Sequence, residues 1–131
     1  MIPDRIIEQG TLTTDGSRTA VEVRLPWYRA LPGSCIAGAK LTVDGVEAPA
    51  ESLRWTMNGR EFGFADLVDE TGEWWFPTDS AVLSGDLPID PDAEHEVTVG
   101  LTLYIPYIII SDTETLHIDE SNTKTMKAVA A

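Results

Sequence analysis

Apolar and polar residues alternate along several short segments of the chain, and this pattern predicts β-strands. Val21, Val23 and Leu25 alternate with charged residues, which is typical of a strand that is buried on one face. The longest such segment covers residues 96–105, where every second residue is aliphatic, and Pro106 is expected to end or bend this strand. Shorter strands are predicted near residues 6–7, 74–76, 81–83 and 116–118.

Two dipeptides with a strong turn preference, at residues 44–45 and 58–59, each lie between alternating segments. Asp-Gly and Asn-Gly tolerate positive φ at both positions, so each predicts a two-residue β-hairpin turn. The first turn places Val43 opposite Val46. With about eight short strands and no convincing amphipathic helix, the chain is predicted to be all-β: an antiparallel β-sandwich, or jelly roll, forming a single domain over residues 1–131.

Three clusters of aromatic and apolar residues do not fit this alternation. LPWYRALP at residues 25–32 is a loop framed by two prolines, and the isoleucines of YIPYIII at residues 104–110 are consecutive. Trp74 and Trp75 are adjacent on a predicted strand, so they must point to opposite faces. Trp, Tyr and Arg are enriched in binding hot spots. The residues expected to contact a partner are Trp27, Tyr28, Arg29, Trp74, Trp75, Tyr104 and Tyr107.

These clusters have three possible roles. They can cap the ends of the sandwich core, form an interface with another protein, or form a sugar-binding surface, and the interface is favoured over the sugar platform. The C-terminal residues 121–131 have few apolar anchors, so they are expected to fray or to lie on another chain.

The net charge of the chain disfavours some classes of binding partner. Twenty-two acidic and nine basic residues give a net charge of -13, which disfavours binding to nucleic acid and to anionic membranes. Cys35 is the single cysteine, so no internal disulfide can form, and it is expected to be buried and unreactive. The longest uncharged run, residues 97–111, is too short to span a membrane as a helix. Residues 1–5 do not begin a signal peptide, so a cytoplasmic location is predicted.

Candidate catalytic residues are scarce in this sequence. His95 and His117 occupy predicted solvent-side positions, and exposed strand residues explain them better than a metal site or a catalytic base. The acidic residues within 90–96 lack the glycine and the final glutamate of a calcium loop, so they are interpreted as solvated charges. The sequence thus predicts no catalytic residue and no metal ligand in this chain.

The segments MIPDRII (residues 1–7), LPWYRALP (residues 25–32) and TLYIPY (residues 102–107) together resemble the small (β) subunit of bacterial C-glycoside deglycosidases. Chain length and the β-rich pattern match this family along nearly the whole sequence. The resemblance implies a β-sandwich subunit that pairs with a larger, barrel-fold α subunit in a heteromer. It places a divalent metal, expected to be manganese, and the acid–base residues in that partner.

The resemblance also implies a reaction. The substrate would be a 3-oxo-C-glycoside, whose carbonyl acidifies the proton at C2, and the aglycone would leave C1 by β-elimination. This chain would be a non-catalytic subunit that supports assembly and the mouth of the active site. The alternatives are a free-standing carbohydrate-binding β-sandwich module and a purely structural assembly protein.

Overall fold

The structure, a computed structural model, describes residues 6–26, 29–109 and 115–131, and their side chains except those of residues 105–109 and 115–117. Within these residues the chain forms twelve strands and one short α-helix, with 3-10 turns at Gly33–Cys35 and Ala50–Ser52. Their bounds are β1 (Thr13–Thr14), β2 (Arg18–Arg24), β3 (Leu31–Pro32), β4 (Ile36–Val43), β5 (Val46–Glu47), β6 (Arg54–Met57), β7 (Arg60–Gly63), α1 (Phe64–Leu67), β8 (Trp74–Trp75), β9 (Ser80–Asp86), β10 (Glu94–Ile109), β11 (Thr115–Lys127) and β12 (Val129–Ala130).

Two main sheets form a sandwich, which confirms the all-β prediction. One sheet has the strand order β12-β1-β2-β9-β6-β7 and the other β11-β10-β4-β5, while β3 and β8 form a separate short pair. The strand pairs are antiparallel except for β1 with β12. The alternation seen in the sequence supplies the core, because one face of each long strand is buried. Fully buried core residues include Val21, Val23, Leu41, Leu83 and Val99.

Both predicted hairpin turns are present. Positive φ angles occur at Asp44 (53°) and Asn58 (55°), and each of these residues is followed by a glycine with positive φ. Val43 pairs with Val46, as the two-residue turn requires. Val43 is buried, whereas Val46 is 58 % exposed, so the tip of this hairpin extends beyond the core.

The strand β10 is longer than predicted. Pro106 does not end it: the strand continues to Ile109, and its register with β11 shifts between Ile105 and Ile109. This irregularity fits a residue that has no backbone N–H to donate to the ladder.

The C-terminal segment corrects an expectation. Residues 121–131 do not hang free of the fold, because β11 pairs with β10 along its length and β12 joins the edge of the other sheet. Met126 and Ala128 are buried, as is the polar side chain of Asn122. The Asn122 carboxamide oxygen accepts a hydrogen bond from the Ile7 N–H at 3.0 Å, so β11 also holds the N-terminal segment. Strand pairing and this bond add to the few apolar anchors of the segment, Met126 and Ala128.

Gly85 lies where the two sheets come close, and it supports a stability prediction. A Cβ atom on Gly85 would lie 2.9 Å from the Ala48 Cβ and 3.0 Å from Leu53 Cδ2. We expect Gly85→Ala to destabilise the fold by roughly 1–3 kcal/mol, as overpacking of a core does. Gly38→Ala is the matched control, because its nearest neighbour would lie 4.0 Å away. Urea denaturation of both variants tests this, and equal midpoints would contradict it.

Candidate functional site

Two of the aromatic clusters meet at one end of the sandwich. Leu31 and Pro32, the last residues of the proline-framed segment, form β3, which pairs with β8 through Leu31–Trp75 and Pro32–Trp74. The backbone N–H of Gly33 donates to the Glu73 carbonyl at 2.8 Å and extends this pairing. A long-range contact, which the sequence pattern alone does not reveal, therefore joins the proline-framed loop to the tryptophan segment.

The third cluster points to the same end. Directly after the 3-10 turn at Gly33–Cys35, Ile36 begins β4 and pairs with Leu103 of β10. The half of β10 that contains Tyr104 therefore lies beside the turn that follows β3. Tyr104 itself is half-buried and packs against the core.

The adjacent tryptophans of β8 have different environments. Trp75 is 1 % exposed, and its ring makes an edge-to-face contact with Trp55 at a centroid distance of 4.9 Å. Its indole N–H donates to the Asp79 carbonyl at 3.1 Å. The structure thus removes Trp75 from the predicted contact residues, because its whole side chain is already used inside the core.

Trp74 and Phe76 remain at the surface. They are 42 % and 48 % exposed, and alternation along an extended chain places them on the side opposite Trp75. We call these two side chains, with the neighbouring segment of residues 68–73, the aromatic end. Two large exposed aromatics so close together have the composition of a binding hot spot.

Polar contacts hold the aromatic end in place. The Asn58 side-chain amide donates to the Trp74 carbonyl at 3.0 Å and to Glu73 Oε2 at 2.9 Å. The Trp74 indole N–H donates to the Thr71 carbonyl at 3.1 Å. Arg60 forms ion pairs with Glu70 at 3.1 Å and with Glu73 at 3.4 Å. The exposed aromatics are thus presented by a fixed segment, which lowers the entropy lost on binding.

The other predicted contact residues are only partly described. Arg29 is exposed and lies two residues before β3, on the loop that reaches the aromatic end. Trp27 and Tyr28 lie outside the described residues, as do the side chains of Tyr107 and His117.

His95 lies at the opposite end of the sandwich. The prediction that its side chain is solvent-exposed is wrong. His95 is 7 % exposed, because it lies two positions before Val97 on β10 and therefore faces the same, inward side of the strand. Its Nδ1 lies 2.5 Å from Asp44 Oδ2, and its Nε2 lies 2.8 Å from the Asp90 carbonyl oxygen. Both neighbours are acceptors, so the ring satisfies both bonds when it is doubly protonated. The other oxygen of Asp44 accepts the Glu96 N–H at 2.9 Å, which ties the β4–β5 turn to β10.

This contact makes stability depend on pH. The hydrogen bond to Asp44, followed by that to the Asp90 carbonyl, raises the pKa of His95 above its usual 6.5. The folded state then binds the proton more tightly, so the contribution is complete below about pH 6.5 and is lost as pH rises through the raised pKa. The bond to His95, followed by that from Glu96, lowers the pKa of Asp44 below 3.8, so its contribution is lost only as pH falls through that lowered pKa.

We therefore expect the urea midpoint to fall between pH 6 and pH 9 by more in the wild-type chain than in His95→Gln. Glutamine is neutral over this range and can still donate to Asp44. The same decrease in both proteins would show that His95 does not carry the effect.

Among the described residues, no three His, Cys, Asp or Glu side chains group as metal ligands. Cys35 is buried as predicted, and burial raises the pKa of its thiol, which disfavours the thiolate form. No helix in the described part of the chain has the length and apolar composition of a membrane span.

Comparisons with known proteins agree with the resemblance noted in the sequence. The profile of the C-glycoside deglycosidase beta subunit family matches residues 6–107. A C-glycoside deglycosidase beta subunit from Microbacterium trichothecenolyticum is 84 % identical over 131 residues, which cover 100 % of both chains. One from Arthrobacter globiformis is 73 % identical over 97 % of both chains. A 3'-dehydrocarminate deglycosidase beta subunit from a Microbacterium species is 39 % identical over 96 % of this chain and 95 % of the relative. The chain therefore belongs to the C-glycoside deglycosidase beta subunit family.

Proposed function

We propose that this chain is the non-catalytic β subunit of a cytoplasmic, metal-dependent heteromer that cleaves the C–C bond of 3-oxo-C-glycosides. The larger α subunit has a barrel fold and carries the metal, expected to be manganese, together with the proton-transfer groups. This chain binds the α subunit through its aromatic end and borders the mouth of the active site, where it helps to exclude water.

One observation carries the proposed role of this chain. Trp74 and Phe76 stay exposed although Trp75, between them, is fully buried. A core that needed all three rings would have enclosed them, whereas here the Trp74 indole N–H bonds to the Thr71 carbonyl at the surface and Phe76 stays 48 % exposed. In a protein of the beta-subunit family, such a surface is best explained by contact with the other subunit.

The proposed reaction follows from the chemistry of the bond. A C–C bond to an aryl carbon offers no glycosidic oxygen to protonate, so the ordinary glycosidase route fails. A carbonyl at C3 acidifies the proton at C2, and a base removes that proton to give an enolate. The C1–C2 double bond then forms as the C1–aryl bond breaks, and the departing aryl carbon takes up a proton, assisted by the phenols of its ring. The name of one relative, 3'-dehydrocarminate deglycosidase beta subunit, denotes a substrate oxidised at a 3' position, which supports this proposal.

The described side chains of this subunit do not fit a metal. Among the described residues, no three His, Cys, Asp or Glu side chains lie close enough together to bind a metal. A protein site for a divalent metal needs about three or four such ligands. We derive no step through a metal from this chain and propose that all its ligands belong to the α subunit.

The test is to produce this chain and the barrel-fold subunit separately and together, and to measure size and cleavage of a 3-oxo-C-glucoside. We expect cleavage by the complex, loss of cleavage with a chelator, and recovery on adding manganese. The isolated chain should cleave nothing. Cleavage by the isolated chain, or a complex that is indifferent to the chelator, would contradict the proposal.

A carbohydrate-binding module is the second candidate. Trp74 presents an exposed indole, and the Asn58 side chain contacts the Trp74 carbonyl and the Glu73 carboxylate nearby. An exposed aromatic plane with polar groups in its vicinity is the composition of a sugar-stacking platform. Calorimetric titration of the isolated chain with glucose and with a C-glucoside separates the two candidates. Binding that is lost in Trp74→Ala would favour the module, whereas the β-subunit proposal expects no heat of binding.

A further inference from the structure

The segment that contains the aromatic end is strongly acidic. Residues 60–79 run from β7 through α1 to the segment after β8, and they contain six carboxylates and one guanidinium, a net charge of -5. This part of the chain therefore carries more than a third of the total charge of -13 in 20 of 131 residues. The carboxylates belong to Glu61, Asp66, Asp69, Glu70, Glu73 and Asp79.

Three arginines lie near this group. Arg24 donates to the Thr78 carbonyl at 3.3 Å but pairs with Glu8. Exposed Arg29 lies on the segment that leads into β3.

Arg60 does not neutralise the group. It is already shared between Glu70 and Glu73, whose side chains are 21 % and 28 % exposed. Within the described residues, the remaining four carboxylates form no ion pair, and all four belong to exposed residues. They are Glu61, Asp66, Asp69 and Asp79.

The cost of covering these charges limits the partner. A surface that buries Trp74 and Phe76 comes close to Asp79, whose N–H donates to the Phe76 carbonyl at 3.0 Å, and to Glu73, which shares the Asn58 amide with the Trp74 carbonyl. Removing carboxylates from water without a compensating charge is strongly unfavourable. An uncharged apolar partner would lose much of what it gains from the two rings.

We infer that the aromatic end fits a partner surface with an apolar recess for Trp74 and Phe76, bordered by lysine and arginine side chains. This inference rests on the proposed function, because the partner is the α subunit, and it adds the chemistry of the surface that the α subunit presents. The exposed carboxylates attract the basic border before contact, so association is faster at low salt.

The experiment compares two triple variants that each change the net charge from -13 to -10. Glu61→Gln, Asp69→Asn and Asp79→Asn neutralise carboxylates next to the aromatic end: Glu61 follows Arg60, which pairs with Glu73, and the Asp79 N–H donates to the Phe76 carbonyl. Asp90→Asn, Asp92→Asn and Glu94→Gln neutralise the opposite end, where the His95 contact to residue 90 uses the backbone carbonyl and is kept. Association of each variant and of the wild-type chain with the α subunit is measured by stopped flow or surface plasmon resonance between about 20 and 500 mM salt.

We expect the aromatic-end variant to associate roughly tenfold more slowly at low salt, within the 10- to 1,000-fold range that steering provides. Its rate should depend little on salt, while the opposite-end variant should remain close to the wild-type chain. Equal rates for the two variants would overturn the inference.

The failure of the proposed function would look different. If the wild-type chain formed no complex with the α subunit at any salt concentration, or if loss of both exposed rings left the complex intact, the assignment of the partner or of the surface would fail. If the complex needs the two rings but associates at a rate that does not depend on salt, the inferred basic border would be wrong, while the proposed binding surface would stand.

Discussion

Replacing Trp75 with alanine is expected to destabilise the isolated chain by about 3–5 kcal/mol, the usual cost of removing a large buried aromatic. The ring is 1 % exposed and contacts Trp55 edge to face, so its loss leaves a cavity and removes an aromatic pair. The Asp79 carbonyl also loses the indole donor. This is a large fraction of the stability of a domain of this size.

Trp74 provides the matched control, since it is the same residue type one position earlier on β8. Its ring is 42 % exposed and its indole bond is to the Thr71 carbonyl at the surface, so Trp74→Ala should cost the isolated chain about 1 kcal/mol or less. Guanidinium denaturation of both variants measures the difference. Similar losses in the two proteins would mean that the described environments of the two tryptophans are wrong.

The second large effect is expected on assembly. The double variant Trp74→Ala, Phe76→Ala should fold, because both side chains project from the surface. If both rings are hot-spot residues, each is worth about 2 kcal/mol, which is roughly a 30-fold change in Kd for each ring. We expect the complex with the α subunit to dissociate in size-exclusion chromatography at micromolar concentration, and cleavage of the 3-oxo-C-glucoside to fall with it.

The control for this variant uses other exposed apolar residues. Val46 and Val129 are 58 % and 52 % exposed, and both lie away from β8, on β5 and β12. Val46→Ala, Val129→Ala should leave assembly unchanged. If the valine variant dissociated and the aromatic variant did not, the partner would have to bind the other part of the molecule.

The sequence predicts the strands well because each long strand has one buried face. Alternation identified β2, β6 and the body of β10, and the two glycine turns set the hairpin registers. The same alternation also indicates that His95 is buried, because it lies two residues before Val97 and so faces the same side of β10. A polar residue in an inward phase indicates a buried hydrogen-bonded group, and here the acceptors are Asp44 and Asp90.

Other features depend on contacts between distant segments. The polar C-terminal residues form β11 because β10 offers a long ladder, and a composition without apolar anchors does not reveal this. Alternation shows that Trp74 and Trp75 face opposite sides but does not say which of them is inside. The pairing of β3 with β8 and the contact with Trp55 decide that question, and both join residues far apart in sequence.

We propose that the α subunit binds at the aromatic end. Hydrogen–deuterium exchange of this chain, alone and with a saturating amount of the α subunit, tests it directly. Binding should protect the amides of residues 29–34 and 68–79, while residues 44–47 and 86–93 should exchange as in the free chain. Protection of that second group, with residues 68–79 unchanged, would contradict the account.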